Sequence, residues 1–335
     1  MNFWIGFAII LVSGMLNASF PLPMKYSRAW KWENTWFLFT TLALFLFPLI
    51  LAMAAVPDLA GMYAALPAEA FLPGAVFGFL WGTAQVTFGI AIAGVGMAMA
   101  FAIVVGMSGL FGSLISMGVL HPDELTGPRG IALMVSAAIL VVGLFLYGKA
   151  GRDRERETGA AGPSGSSFRK GLMVCLYTGL MGGMINLGFA FSGKVSDAAV
   201  ARGASGQSAT LAVWLIVLAA GYVPNLVYTV YLMIRNGTGG NFLMRPGREG
   251  LLATATGLLW LGGTLGYGSG ATAMGAYGTS IGYAIYVTIL LLWSTTLGIL
   301  TGEWKHARPA TVRRMKLGVA VILVSALVLS STGFF

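Results

Sequence analysis

The sequence predicts an all-α membrane protein of ten transmembrane helices, arranged as two inverted five-helix repeats. Three observations lead there. The 335 residues are 57% hydrophobic and only 9% charged, with a mean hydropathy of +0.83. That is more apolar surface than a soluble core can hide, so a bilayer must cover it. Polar or Gly/Pro punctuation divides the chain into ten segments of the roughly 20 apolar residues a crossing helix needs. Finally, the chain repeats itself. Ser13-Gly-Met-Leu-Asn-Ala-Ser-Phe20 returns as Gly182-Gly-Met-Ile-Asn-Leu-Gly-Phe189, and Gly78, Trp81, Phe88 and Gly89 return as Gly257, Trp260, Tyr267 and Gly268. Two homologous halves in apolar sequence are the architecture of many secondary transporters.

The segments follow in order. Residues 3–20 have no basic stretch ahead of them and no small-residue cleavage site after them, so they read as a retained helix rather than a signal peptide. Residues 35–56 contain Pro48, which removes a helical N–H and predicts a kink. Segments 73–92 and 96–119 are rich in glycine, which lets membrane helices approach closely. Segment 129–148 runs into the charged stretch Gly151–Thr158 and the Gly/Ser-rich stretch Gly159–Ser167, which read together as a flexible linker over 151–169. That linker separates a first repeat, 1–150, from a second, 170–335. The second repeat offers 171–190, 208–234 with Pro224-Asn225 at its middle, 250–270, 278–300 and 314–333.

Basic residues near helix ends stay in the cytoplasm. Of the 20 Lys and Arg, 17 fall in the odd-numbered loops and only Arg129, Lys194 and Arg202 fall opposite. Both termini are therefore expected on the periplasmic face of an inner membrane. Five spans per repeat is an odd number, so the two repeats enter the membrane in opposite senses. The net charge of +9 is a topology signal with affinity for anionic lipid and implies no nucleic-acid partner.

In such a fold the working site lies near the midplane between the repeats, and polar groups inside apolar spans mark it. Asn17 and Asn186 are repeat-equivalent carboxamides whose donors and acceptor suit polyol hydroxyls. Trp81, Gln85 and Thr87 in the third span, with Trp260 and Tyr267 in the eighth, pair indole surfaces with polar groups. Gln85, four residues after Trp81, shares its helix face. Tyr283 belongs to a hydroxyl-rich stretch, and Asn225 follows the proline where the seventh span is expected to open. Each of these also has a plain reading as helix-packing glue.

No acidic residue falls deep in a span. Glu33 and Glu303, both at the cytoplasmic surface, are the remaining candidates for proton coupling, with Lys31 and Lys305 as neighbours that could pair with them. No cofactor and no metal site is expected: the chain holds one cysteine, Cys175, and its two histidines lie in loops. No Walker loop, HExxH or G-x-S-x-G motif occurs, so an enzyme is not expected.

Several stretches resemble the L-rhamnose/proton symporter family of the drug/metabolite transporter superfamily. They are Trp30-Lys-Trp-Glu-Asn-Thr-Trp36, Phe77-Gly-Phe-Leu-Trp-Gly82, Gly94-Val-Gly-Met-Ala-Met99 and Gly302-Glu-Trp304 followed by Arg308-Pro309. The chain departs from the family pattern at Gln85, where an Asn is usual. It departs again at Ala93 and at Tyr277-Gly-Thr-Ser280, where charged groups are usual. The resemblance implies a secondary transporter of a small neutral sugar, L-rhamnose or a related deoxy-sugar or polyol, by alternating access with proton symport. The residues alone leave two alternatives, an exporter of amphipathic metabolites and a non-transporting sugar sensor. They also leave monomer and homodimer open, since Gly78/Gly82 and Gly262/Gly266 have the spacing of a dimer face as well as of internal packing.

Overall fold

The computed structural model describes residues 3–95, 97–159, 166–302 and 304–330. The described residues form helices and turns and no strand. This is what a chain in hydrocarbon must do, because no water is there to satisfy an open backbone. In chain order the helices are α1 (Phe3–Ser19), α2 (Pro21–Met24), α3 (Trp32–Thr40), α4 (Phe47–Ala55), α5 (Leu59–Ala65), α6 (Leu72–Val95), α7 (Met97–Leu120) and α8 (Pro128–Glu157). They continue with α9 (Ser166–Gly182), α10 (Met184–Ala190), α11 (Gly193–Ala201), α12 (Gly206–Asn236), α13 (Pro246–Met274), α14 (Tyr283–Leu300) and α15 (Pro309–Ser330). Eight stretches are long and apolar enough to cross a membrane, and the last of them, Pro246–Leu300, holds both α13 and α14.

Local chemistry sets the helix ends. Pro128, Pro246 and Pro309 each open a helix, where a missing N–H costs nothing. The Ser205 hydroxyl caps α12 by accepting from the Ser208 N–H at 3.1 Å, and Gly237 closes it with φ +65°. Two π-helical turns interrupt the regular pattern. Thr41–Leu46 joins α3 to α4 just ahead of Pro48, and Gly278–Gly282 leads into α14. Such turns free backbone carbonyls for other partners.

Packing crosses between early and late parts of the chain. Helix α1 lies along α13, α6 lies against both α9 and α12, and α8 lies along α15. Close approach depends on missing side chains. A Cβ at Gly263 would sit 2.6 Å from the Ser13 carbonyl of α1, and one at Gly221 would sit 2.6 Å from the Trp81 ring. Gly78 and Gly82 face the α12 backbone and Gly266 faces Ser13, so these three glycines serve packing inside the chain.

Two expectations change here. The linker begins later than residue 151, because α8 carries its helix through Glu157. Asp153 binds Arg314, while Glu157 accepts from Thr311 Oγ1 at 2.7 Å and the Arg308 N–H at 2.8 Å. Alternating Arg and Glu are good helix formers, and α15 supplies their counter-charges. The opening expected at Pro224 is also absent, since α12 runs unbroken from Gly206 to Asn236.

Candidate functional site

Trp81 of α6 and Trp260 of α13 meet face to face, their ring centroids 5.5 Å apart and their planes 22° from parallel. Both are buried, at 4% and 7% exposure. Neither indole N–H donates to a described residue. Neither is sealed off, since the only described buried polar side-chain atoms without a partner are Ser113 Oγ and Trp214 Nε1. The pair therefore offers two unused donors at a junction between distant parts of the chain.

Asn17 of α1 stands beside Trp260. Its amide nitrogen donates to the Trp260 carbonyl at 3.1 Å and to Thr264 Oγ1 at 3.2 Å. A carbonyl partner requires the NH₂ end, so the Asn17 oxygen points the other way, where it accepts from no described residue. Gln85, one turn beyond Trp81, is half-buried and its carboxamide bonds to no described residue. Thus Asn17, Trp81, Gln85 and Trp260 bring unused donors and acceptors to one region.

The other predicted residues are already committed. Asn186 of α10 donates to the Gly112 carbonyl at 2.9 Å and to the Thr279 carbonyl at 2.7 Å, and its oxygen accepts from the Tyr267 hydroxyl. The Thr279 carbonyl belongs to the second π turn. Asn225 ties three helices. Its oxygen accepts from Trp36 Nε1 at 2.9 Å, and its nitrogen donates to the Gly221 carbonyl at 2.9 Å and the Gly82 carbonyl at 3.4 Å. Thr87 Oγ1 bonds to Thr178 Oγ1 of α9 at 2.8 Å and donates to its own helix. Tyr283 packs 5.5 Å from Tyr267 in a buried aromatic cluster with Phe189, Trp214 and Tyr286, and its hydroxyl has no described partner.

A second aromatic series runs into the tryptophan pair from α3. Trp32, Trp36, Phe39 and Trp260 follow one another at 4.9, 5.0 and 6.1 Å between centroids. Nothing in the sequence singles out Trp36 and Phe39 as neighbours of Trp260. Their spacing along α3 puts them on one face, but nothing local says which distant helix that face meets.

The sequence profile of the family described as L-rhamnose-proton symport protein (RhaT) matches residues 1–333. The chain belongs to this family. Individual relatives are remote but full-length. It is 24% identical to the L-rhamnose-proton symporter of Cronobacter sakazakii over 330 residues, 94% of each chain. It is 23% identical to that of Klebsiella pneumoniae over 328 residues and 24% identical to that of Escherichia coli over 330, again 94% of each chain. A solved structure titled "Crystal structure of protein" shares the fold with a TM-score of 0.58 at 13% identity, covering 99% of this chain and 98% of that one.

The L-rhamnose-proton symport family is a family of transporters and not of enzymes, which directs attention to carboxylates that could carry a proton. Glu33, 6% exposed at the start of α3, takes Asn236 Nδ2 at 3.0 Å and Thr238 Oγ1 at 2.9 Å on one oxygen. Glu303 lies outside the described residues. Glu249, an acid that does not fall deep in any expected span, is 1% exposed in the first turn of α13. It accepts from Ser27 Oγ at 2.6 Å, from the Arg28 N–H, and from Arg248 at 3.1 Å, and so holds the α2–α3 connection to α13. An acid one turn into an apolar helix behind Pro246 was the available signal. Among the described residues no cluster of His, Cys, Asp and Glu could hold a metal ion.

Proposed function

We propose that this chain is a proton-coupled symporter of L-rhamnose or a closely related deoxy-sugar, built from ten transmembrane helices in two inverted five-helix repeats. The full-length family match carries the reading, and the relatives named above are all L-rhamnose-proton symporters. Packing supports the inverted repeat. If α1 and α9–α10 are the first spans of the two repeats, and α6 and α13 the third, each first span packs on the third span of the other repeat. Helices α8 and α15, the fifth of each, pair with one another. The Lys and Arg distribution supports termini on the periplasmic side of an inner membrane.

Trp81 and Trp260 are the centre of the proposed site, one from each repeat. At 5.5 Å their rings are in direct contact, so no sugar ring fits between them in this conformation. Rocking of one repeat against the other separates the two indoles and exposes a surface that accepts the apolar face of a deoxy-sugar. Gln85, the Asn17 oxygen and the indole N–H groups then meet its hydroxyls. Asn186, Asn225, Thr87 and Tyr267 hold the helices that carry these groups, and Tyr283 lines the far wall. Glu33 and Glu303 remain the proposed coupling carboxylates, and Glu249 joins them on burial.

The test is substrate-driven proton movement. Adding L-rhamnose to proteoliposomes containing the purified protein should alkalinise a weakly buffered medium as protons enter with the sugar, while a non-substrate hexose should not. Labelled rhamnose entering without any pH change would remove the coupling and retain the sugar.

A further inference from the structure

A groove of about 510 Å³ opens between α7 and α8, away from the tryptophan pair. Its α8 wall is one continuous stripe. Val141, Leu144, Phe145 and Gly148 give way to Lys149, Arg152 and Arg156, all at three- or four-residue spacing and hence on one helix face. The α7 wall, from Ile103 to Leu110, is apolar. Val141 and Phe145 are 49% and 68% exposed, so no described residue covers the apolar part of the stripe. Of the acids in this stretch, Asp153 is committed to Arg314 of α15, Glu157 accepts from Arg308 and Thr311, and Glu155 is buried.

The change from apolar to basic falls where a bilayer would put it. Helix α8 has 30 residues and is about 45 Å long, against a hydrocarbon thickness of about 30 Å. If Pro128 starts at one edge of the hydrocarbon, about 30 Å of helix ends at Gly148, and Lys149 is the first residue at headgroup depth. The apolar half of the groove then lies at acyl-chain depth and the basic half at phosphate depth. A soluble anion would have no use for the apolar half, and a neutral lipid would have none for the basic half.

We propose that this groove is a binding site for one anionic phospholipid. An acyl chain lies along Val141, Phe145 and Leu110, and the phosphate is held by Lys149, Arg152 and Arg156. Such basic pockets between membrane helices are a general form of headgroup recognition. The site is independent of the sugar reading, because it needs only that the chain spans a membrane.

Native mass spectrometry of the delipidated full-length protein, titrated with phosphatidylglycerol and with phosphatidylcholine, tests it. The wild type should retain one phosphatidylglycerol in clear preference to phosphatidylcholine. Each of K149Q and R156Q should lower that preference about fivefold, and the triple variant with R152Q should abolish it. A control, R169Q/K170Q, changes basic residues beyond the groove and should leave the preference intact. V141W, which fills the apolar half, should lose the bound lipid while keeping all three charges. Glycerol phosphate, the headgroup without chains, should not compete. Equal retention of both lipids would overturn the proposal, as would wild-type preference in K149Q and R156Q. Undiminished binding by V141W would overturn it as well, by showing that surface charge alone holds the lipid.

Discussion

Asn17 and Asn186 occupy equivalent places in the repeated sequence, yet the fold uses them differently. Asn186 is fully buried and spends every hydrogen-bonding group, joining α10 to α7, to the second π turn and to Tyr267. Asn17 spends only its amide nitrogen, on Trp260 and Thr264, and leaves its oxygen open beside the tryptophan pair. Repetition in sequence therefore pairs two positions but does not give them one role. What separates them is the backbone opposite. At Asn186 a π turn presents a spare carbonyl. At Asn17 the regular helix α13 offers the carbonyl of Trp260, which the Thr264 hydroxyl shares, and that hydroxyl itself.

The two asparagines should differ most in stability. Asn186→Ala would remove two buried bonds to carbonyls and leave the Tyr267 hydroxyl without its acceptor, a loss of roughly 3 kcal/mol. Asn17→Ala gives up two weaker interhelical bonds, roughly 1 kcal/mol. Thermal unfolding in detergent should show the larger drop for the Asn186 variant, and equal drops would erase the distinction between the two sites.

Transport kinetics should separate the open groups from the committed ones. Gln85 bonds to no described residue, so Gln85→Ala should unfold at the wild-type temperature while raising the KM for rhamnose at least about tenfold, as expected when a site loses a hydrogen bond to a substrate hydroxyl. Asn17→Ala should raise KM as well, whereas a folded Asn186→Gln protein should mainly lose stability. Glu33→Gln should keep rhamnose exchange between two sugar-loaded compartments but lose accumulation driven by a proton gradient. If accumulation is unchanged, Glu33 is only the clamp between α3 and α12. The smallest effect is expected at Thr87, which serves the α6–α9 contact through Thr178. Thr87→Val should leave KM within about twofold and cost roughly 1 kcal/mol of stability.

The helical, membrane-embedded character of the fold was legible because hydrocarbon constrains sequence so strongly. Long apolar runs, with a proline at the start of α6 and of α13, almost fix where α6, α12 and α13 lie. The end of α8 was not legible, because its charged last turns are stabilised by Arg308, Thr311 and Arg314, more than 150 residues away. In the site, Trp81, Trp260 and Asn17 could be picked out as polar-edged groups inside apolar spans. Asn225 could be picked out too, but its role could not. Its partners Trp36 and Gly82 come from two other helices, and the same carboxamide would look identical in sequence if it faced a ligand. Glu249 was hidden for the opposite reason: its position near a helix end suggested exposure, and only the folded α2–α3 connection buries it.

The most direct measurement is uptake of labelled L-rhamnose into proteoliposomes under an inward proton gradient, with wild type and Gln85→Ala reconstituted side by side. Gradient-dependent accumulation by the wild type, and accumulation by the variant only at about tenfold more sugar, is the predicted result. Identical concentration dependence for the two proteins would contradict a site built on Trp81, Gln85 and Trp260, and no accumulation by the wild type would contradict rhamnose symport itself.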